Sequence, residues 1–460
     1  MTDIFGGALV VLGLTLIGYG LIWPFSSTGI RTSERLLLGA AISLGLIPLF
    51  LFYGLLAGWR LGIFSPWVLT AGAVLGFALW VTDFRHGRQQ GAERLMPPAR
   101  SPQSRYHVLL VGIVTILLIE KVFFVAIQGF SFPTYFWDAI DNWNYRAKVL
   151  YATGYLDLDP RSETFLGGGK PHYPMGPSLF RAWMATLLGR WAEKAIVFHS
   201  LVAYLLLFAI IWKALSKKIG RWHSFFFAYL AVSLPLMIHH AYSSYADLLL
   251  SLFFTGCLIY GHEYLITRDR LSGIVSLFFL VSSLFTKNEG VVLILPVVII
   301  AMLIAIGQRR LPLGSACFYA GAAVFLILPW VILKFHFGLS FTPNEEKSIF
   351  EFHPNGLVKI FEVLFRQGSF NLFGPLFIVS TLFYSTIWWR TELRILAFTV
   401  FLLLGVILGV FLFSGNYAFM ENQMTINRSL MLFMPAYIYL VGLSAGKHQN
   451  EELTVPPGNN

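Results

Sequence analysis

Charge is what this chain has least of: lysine, arginine, aspartate and glutamate make up 12% of its 460 residues, against roughly 25% in an ordinary soluble domain. With 57% of the residues hydrophobic, there is too little polar surface to cover a water-facing globule, which excludes a soluble fold. Cysteine is nearly absent. Cys257 and Cys317 are the two, both inside apolar runs, which excludes a disulfide framework or a cysteine zinc site and predicts two reduced, buried thiols. No segment repeats at a fixed period. The N-terminal MTDIFGG lacks the positive stretch and small-residue cleavage pattern of a secretory leader, so 5–25 is expected to remain as a first span.

What the chain does have is apolar runs of about twenty residues, the length that crosses a roughly 30 Å hydrocarbon layer as a helix. A helix also closes its own backbone hydrogen bonds in that medium. The runs predict an all-α polytopic membrane protein of about thirteen spans, at 5–25, 36–57, 62–82, 108–129, 193–215, 223–239, 243–263, 271–286, 290–307, 316–335, 371–390, 394–414 and 428–446. The stretch 173–189, with Arg181 and Trp183, is shorter and amphipathic and reads as interfacial, a fourteenth span being the alternative.

Alternating the thirteen spans puts loops 26–35, 83–107, 213–222, 264–270, 308–315 and 390–394, with the C-terminal tail, on one side, and these hold more than half of the 33 lysines and arginines. The positive-inside rule makes that side cytoplasmic, with the C-terminus there and the N-terminus and the long loops 130–192 and 336–370 outside. Orientation thus accounts for the net charge of +10. A nucleic-acid partner would need the cations on one face of a soluble domain, and they are not so arranged. The expected organisation is three N-terminal transmembrane helices over 1–82, a cytoplasmic linker over 83–107 with five arginines and the segment PPARSP, a membrane module over 108–446, and a cytoplasmic tail over 447–460.

Polar residues gather on the outer side in four groups. The first outer loop opens FPTYFWDAIDNWNYRAKVLY, where Asp138 and Asp141 share a face if 137–151 is helical. Trp137, Trp143 and Tyr145 would then rest in the headgroup belt while Arg146 and Lys148 meet phosphates. Two loop acids are as readily explained as capping groups. The second group, IHHAYSSYADLLL, puts Asp247 at the outer start of a span, where an ionisable group is costly and usually partnered or functional. A helix N-terminus by itself also favours an acid. His239 and His240 are adjacent and point apart, which favours hydrogen bonding over shared metal ligation.

The third group is FTKNEGVV, where Lys287, Asn288 and Glu289 interrupt an apolar stretch in a tight outward turn. A turn needs polar residues but not both a lysine and a glutamate, and a lysine at headgroup depth offers a point charge to a phosphate. In the fourth, NRSLMLFMP, Arg428 enters the last span and either clamps a phosphate bidentately or simply snorkels. Glu345 and Glu346 read as solvated. Glu120 and Lys121, inside the fourth span, are neighbours that cannot share a helix face, so one is expected to anchor the cavity and the other to snorkel.

Taken together, an outer-loop Asp after a tryptophan, an Asp at a later outer turn, an outward KNEG turn and a last span entered through NRSLMLFMP resemble the GT-C superfamily of membrane glycosyltransferases. Over about 108–446 the sequence is most similar to the bacterial branch related to protein mannosyltransferases and lipid A aminoarabinose transferases. The resemblance implies a GT-C-like fold with juxtamembrane helices in the first outer loop, and an enzyme using a polyprenyl-phosphate-linked sugar. It implies Asp138 as the catalytic acid, Asp141 as the alternative, and His172 and Tyr173 of KPHYPMGPSL near the site. It makes Asp247, Lys287 and Glu289 substrate contacts, and His240 and Arg428 join them from their positions. Three spans ahead of the family's usual first helix, and no large C-terminal outer domain in this sequence, leave the acceptor type open.

The expected reaction moves a sugar from a polyprenyl phosphate, undecaprenyl phosphate in a bacterial inner membrane, to a lipid, glycan or protein hydroxyl on the periplasmic side. It inverts the anomeric carbon, with Asp138 as general base. No metal ligand or cofactor is assigned; magnesium or manganese between Asp138 and Asp247 is the alternative. A rival class is a transporter or lipid flippase with Glu120 and Lys121 on its path, but paired broken helices in two related halves are not visible. A non-catalytic membrane scaffold would leave the outer acids unexplained.

Overall fold

The computed structural model describes residues 2–25, 32–90, 105–341, 350–421 and 424–454. The N-terminal helices are α1 (Thr2–Ile22), α2 (Thr32–Leu56) and α3 (Leu61–Gln90). Gly18 of α1 and Gly39 of α2 face each other so closely that a Cβ on either would overlap the other's backbone. This small-residue contact is how membrane helices approach when hydrophobicity alone supplies no drive. α4 (Arg105–Ser131) leads into the segment expected as the first outer loop, which carries a π-helical turn over Ala139–Asn144, α5 (Tyr145–Thr153) and α6 (Gly176–Leu188). Then follow α7 (Glu193–Ser216), α8 (Arg221–Val232), α9 (Pro235–Ser243), α10 (Ala246–Thr267) and α11 (Arg270–Leu284). A second π turn, Gly290–Ile294, opens α12 (Leu295–Gly307). The chain continues through α13 (Leu313–His336), α14 (Asn355–Phe365), α15 (Phe373–Arg390), α16 (Arg394–Leu412), α17 (Tyr417–Glu421) and α18 (Met424–Thr454).

This is an all-helical, polytopic integral membrane protein. Each of the thirteen expected spans is a helix, except that 223–239 is α8 and α9 meeting at 67°. Leu234 is extended before Pro235, the conformation proline imposes on the residue preceding it. Among the described residues ten helices are long and apolar enough to cross a membrane, and the bent pair makes an eleventh. α11 is shorter, at 15 residues, and α15 is less apolar.

The two ends of the bundle differ in chemistry. At one, the basic loops close on acids of neighbouring helices: Lys217 Nζ lies 2.6 Å from Glu34 Oε1, Lys218 Nζ 3.2 Å from Glu263 Oε2, and Arg35 pairs with Asp83. The other end gathers the first outer segment, the start of α10, the turn after α11 and the start of α18. Of the expected linker 83–107, the first residues continue α3, the last begin α4, and 91–104 lie outside the described residues, as do Glu345 and Glu346.

Four expectations are corrected. The stretch 173–189 becomes α6, 13 residues long and buried inside the protein instead of resting at an interface. Arg181 is tolerated there because Asn144 Oδ1 accepts from it at 2.7 Å and the Ser244 carbonyl accepts a further bond. Arg146 and Trp143 are buried too: the guanidinium donates to the carbonyls of Leu166 (3.0 Å) and Tyr173 (2.9 Å), so it braces the outer segment and does not meet headgroups. Glu120 and Lys121 pair with each other at 2.8 Å on a largely exposed face of α4, long side chains bridging where their Cβ directions diverge. Cys257 is buried, but Cys317 lies on the outer face of α13.

Candidate active site

Asp247 stands in the first turn of α10 because α9 stops at Ser244, whose φ of 59° is left-handed, and Tyr245 runs extended into the next helix. The α10 amide dipoles favour an anion at that point. Lys287 sits in the turn after α11. That turn is closed by Gly290, where a Cβ would collide with the Ser283 carbonyl. Asp138 immediately precedes the first π turn and Glu289 the second. Such wide turns recur at functional sites, and here each sets the direction of the acid before it. Arg428 projects from the first turns of α18.

These four separate segments place their charges in one network. Lys287 Nζ lies 2.9 Å from Asp247 Oδ1 and 2.7 Å from Glu289 Oε1. Arg428 bonds Asp247 Oδ2 through Nη2 at 2.9 Å and Asp138 Oδ2 through Nη1. Asp247 is therefore held by both cations, one on each oxygen. Asp247 and Lys287 are 4% and 2% exposed, so neither charge would be sustained there without the other. Burial opposes the Lys287 ammonium, yet Asp247 and Glu289 outweigh it and hold its pKa above the ordinary lysine value. Among the described residues, the buried Arg428 Nε, Asn288 Nδ2 and Glu289 Oε2 have no hydrogen-bond partner. Oδ1 of Asp138, whose side chain is partly exposed, is not engaged by the arginine.

A shell of rings encloses the network. The Arg428 guanidinium lies 5.0 Å from the centre of the Tyr245 ring, and His240 Nδ1 is 3.8 Å from Asp247 Oδ2. His239, Phe136 and Tyr242 pack beside them. His172 and Tyr173 stand on the α13 side. The His172 carbonyl accepts from Lys334 at 2.6 Å, while its ring Nε2 is buried without a partner among the described residues. Burial, then Lys334 and Arg146, push the His172 imidazole down to about 4, so it is neutral near pH 7. Burial first, and the Glu289 charge second, push the Tyr173 phenol up to about 12.

Asp141 takes no part in the network. The π turn is wider than an α turn, so a spacing of three carries Asp141 off the face of Asp138. Two site residues, Lys334 and Tyr245, carried no signal in the sequence. Lys334 is fully buried at the end of α13 and donates to the His172 and Ser340 carbonyls (2.6 and 2.8 Å) and to Asn288 Oδ1 (3.2 Å). A lysine near a helix C-terminus is what the helix dipole favours anyway, so nothing marked it out. Tyr245 looked like an ordinary turn residue, whereas Asn288 belongs to the turn the sequence marked out.

The charged cluster thus lies at one end of a polytopic helical bundle, built from the segment between α4 and α5 and the starts or ends of later helices. The chain aligns with the crystal structure of ArnT from Cupriavidus metallidurans bound to undecaprenyl phosphate, at a TM-score of 0.52 and 13% identity, over 73% of this chain. It spans 60% of the length of that neighbour. The likeness shows that the chain shares the polytopic helical fold of that membrane protein. No protein-family model and no curated protein matches the sequence.

Proposed function

We propose that this protein is a GT-C glycosyltransferase that moves a sugar from a polyprenyl phosphate, undecaprenyl phosphate in a bacterial inner membrane, to an acceptor hydroxyl on the extracytoplasmic side. The observation that carries the reading is the partly buried network of Asp138, Asp247, Glu289, Lys287 and Arg428 with donors left over: one ammonium hydrogen of Lys287, Nε of Arg428 and Nδ2 of Asn288. A phosphate brought among them meets fixed donors in a dry site, where such dipoles and charges stabilise a developing anion most. Asp247 orients both cations. Asp138 Oδ1 takes the acceptor proton as the acceptor oxygen bonds to the anomeric carbon; the carbon–phosphate-oxygen bond breaks, and the polyprenyl phosphate leaves with the electron pair. One displacement inverts the anomeric centre.

Arg428 lies between Asp138 and Asp247, where a divalent ion bridging the two would have to sit. The reading therefore gives charge compensation to Arg428 and Lys287, with no metal ion. Glu120 and Lys121, which motivated a translocation path, neutralise each other away from the network, so nothing in the site favours transport.

Transfer from a radiolabelled polyprenyl-phosphate sugar in proteoliposomes tests this. Asp138→Asn should lower the rate by about 10²- to 10⁴-fold, the usual share of a general base, while donor still binds, and the wild-type rate should persist in excess chelator. Transfer unaffected by Asp138→Asn would remove the proposed base.

A further inference from the structure

From the basic end of the bundle a cavity of about 270 Å³ runs between α10, α11, α12, α13 and α16 as far as Leu284 and Leu295. Its walls are almost wholly apolar: Leu258, Leu280, Val298, Met302, Ala323 and Leu396 represent the five helices. Along α11 the lining runs from Gly273 to Leu284, about 16 Å at 1.5 Å per residue. That is close to one leaflet's half of a roughly 30 Å hydrocarbon layer. A polar vestibule continues from it, sharing His262, Leu265 and Ile395 and adding Arg310, Arg394 and Glu392. Glu392 is neutralised by Lys447. Arg394 bonds only the neutral Gln308, at 2.8 Å, and Arg310 makes no ion pair among the described residues. The mouth is therefore cationic and the interior apolar.

We propose that this cavity and vestibule form a lipid site for an anionic phospholipid of the adjacent leaflet, one acyl chain between α10–α13 and α16 and the phosphate at Arg310 and Arg394. Basic pockets between membrane helices select anionic headgroups over zwitterionic ones by the same electrostatics. The arginines of the vestibule take no part in the proposed transfer chemistry.

Native mass spectrometry of the detergent-purified protein with phosphatidylglycerol or phosphatidylcholine of identical chains tests it. Phosphatidylglycerol should be retained on the order of ten-fold better. Arg310→Gln with Arg394→Gln should bring it to the phosphatidylcholine level, and Ala323→Phe, which fills the cavity, should remove both lipids. The two arginines are exposed, so the charge variant decides the matter even where the filled cavity fails to fold. Equal retention of the two lipids, or no response to the arginine pair, overturns the proposal. So does displacement by undecaprenyl phosphate whose own binding is lost in Ala323→Phe, since the cavity would then be a channel for the donor's tail.

Discussion

Asp247, itself 4% exposed, carries two cations on its two oxygens. Asp247→Asn would leave Lys287 and Arg428 with one partner fewer each, and stranding buried charge in this way typically costs about 3–5 kcal/mol. A marked drop in the thermal unfolding midpoint in detergent is expected; an unchanged midpoint would mean the pairs are not a buried unit. His172 gives the site a pH signature. Its folded-state value of about 4 lies below the ordinary 6.5, so the fold prefers the neutral ring. That contribution is complete above pH 6.5 and is lost as pH falls toward 4. The wild-type midpoint should decline across this window more steeply than that of His172→Gln, and parallel declines would contradict it. At this scale the sequence displayed the charges because each of Asp247, Lys287 and Arg428 interrupts apolar surroundings. It did not display the burial of Arg146 and Arg181, whose acceptors are largely backbone carbonyls of Leu166, Tyr173 and Ser244, groups that every residue carries.

Elements position the site through their breaks more than through their lengths. The left-handed Ser244 ends α9 two residues before α10 begins at Ala246, and the π turns after Asp138 and Glu289 replace the regular helix that periodicity suggests. Gly290 is the most constrained of these positions. A single methyl there meets the Ser283 carbonyl, so Gly290→Ala should open the Lys287 turn and lower transfer sharply, while Gly314→Ala, facing open space at the start of α13, should leave the rate unchanged. Equal rates for the two variants would show that the turn's geometry does not set the activity. Hydrophobic runs made the helices legible; the π turns were not, because a wide turn has no side-chain period of its own. α6 misled for a related reason. Its amphipathic pattern is that of an interfacial helix, but its polar face meets protein groups and not headgroups.

For the whole molecule, composition alone led to a helical membrane protein, since no other arrangement satisfies so many apolar runs. The placement of charge did the rest: basic loops gather with their acid partners at one end, and the network of Asp138, Asp247, Lys287 and Arg428 forms at the other. Convergence of segments up to 290 residues apart was expected only through the GT-C resemblance, because no local pattern encodes which outer turns meet. The most direct test is a cryo-electron microscopy map of the protein with undecaprenyl phosphate. The account predicts phosphate density within hydrogen-bond reach of Lys287 Nζ and Arg428 Nε, with the prenyl chain leaving between the helices. A map with the undecaprenyl phosphate resolved elsewhere and the network unchanged and free of phosphate density would contradict it.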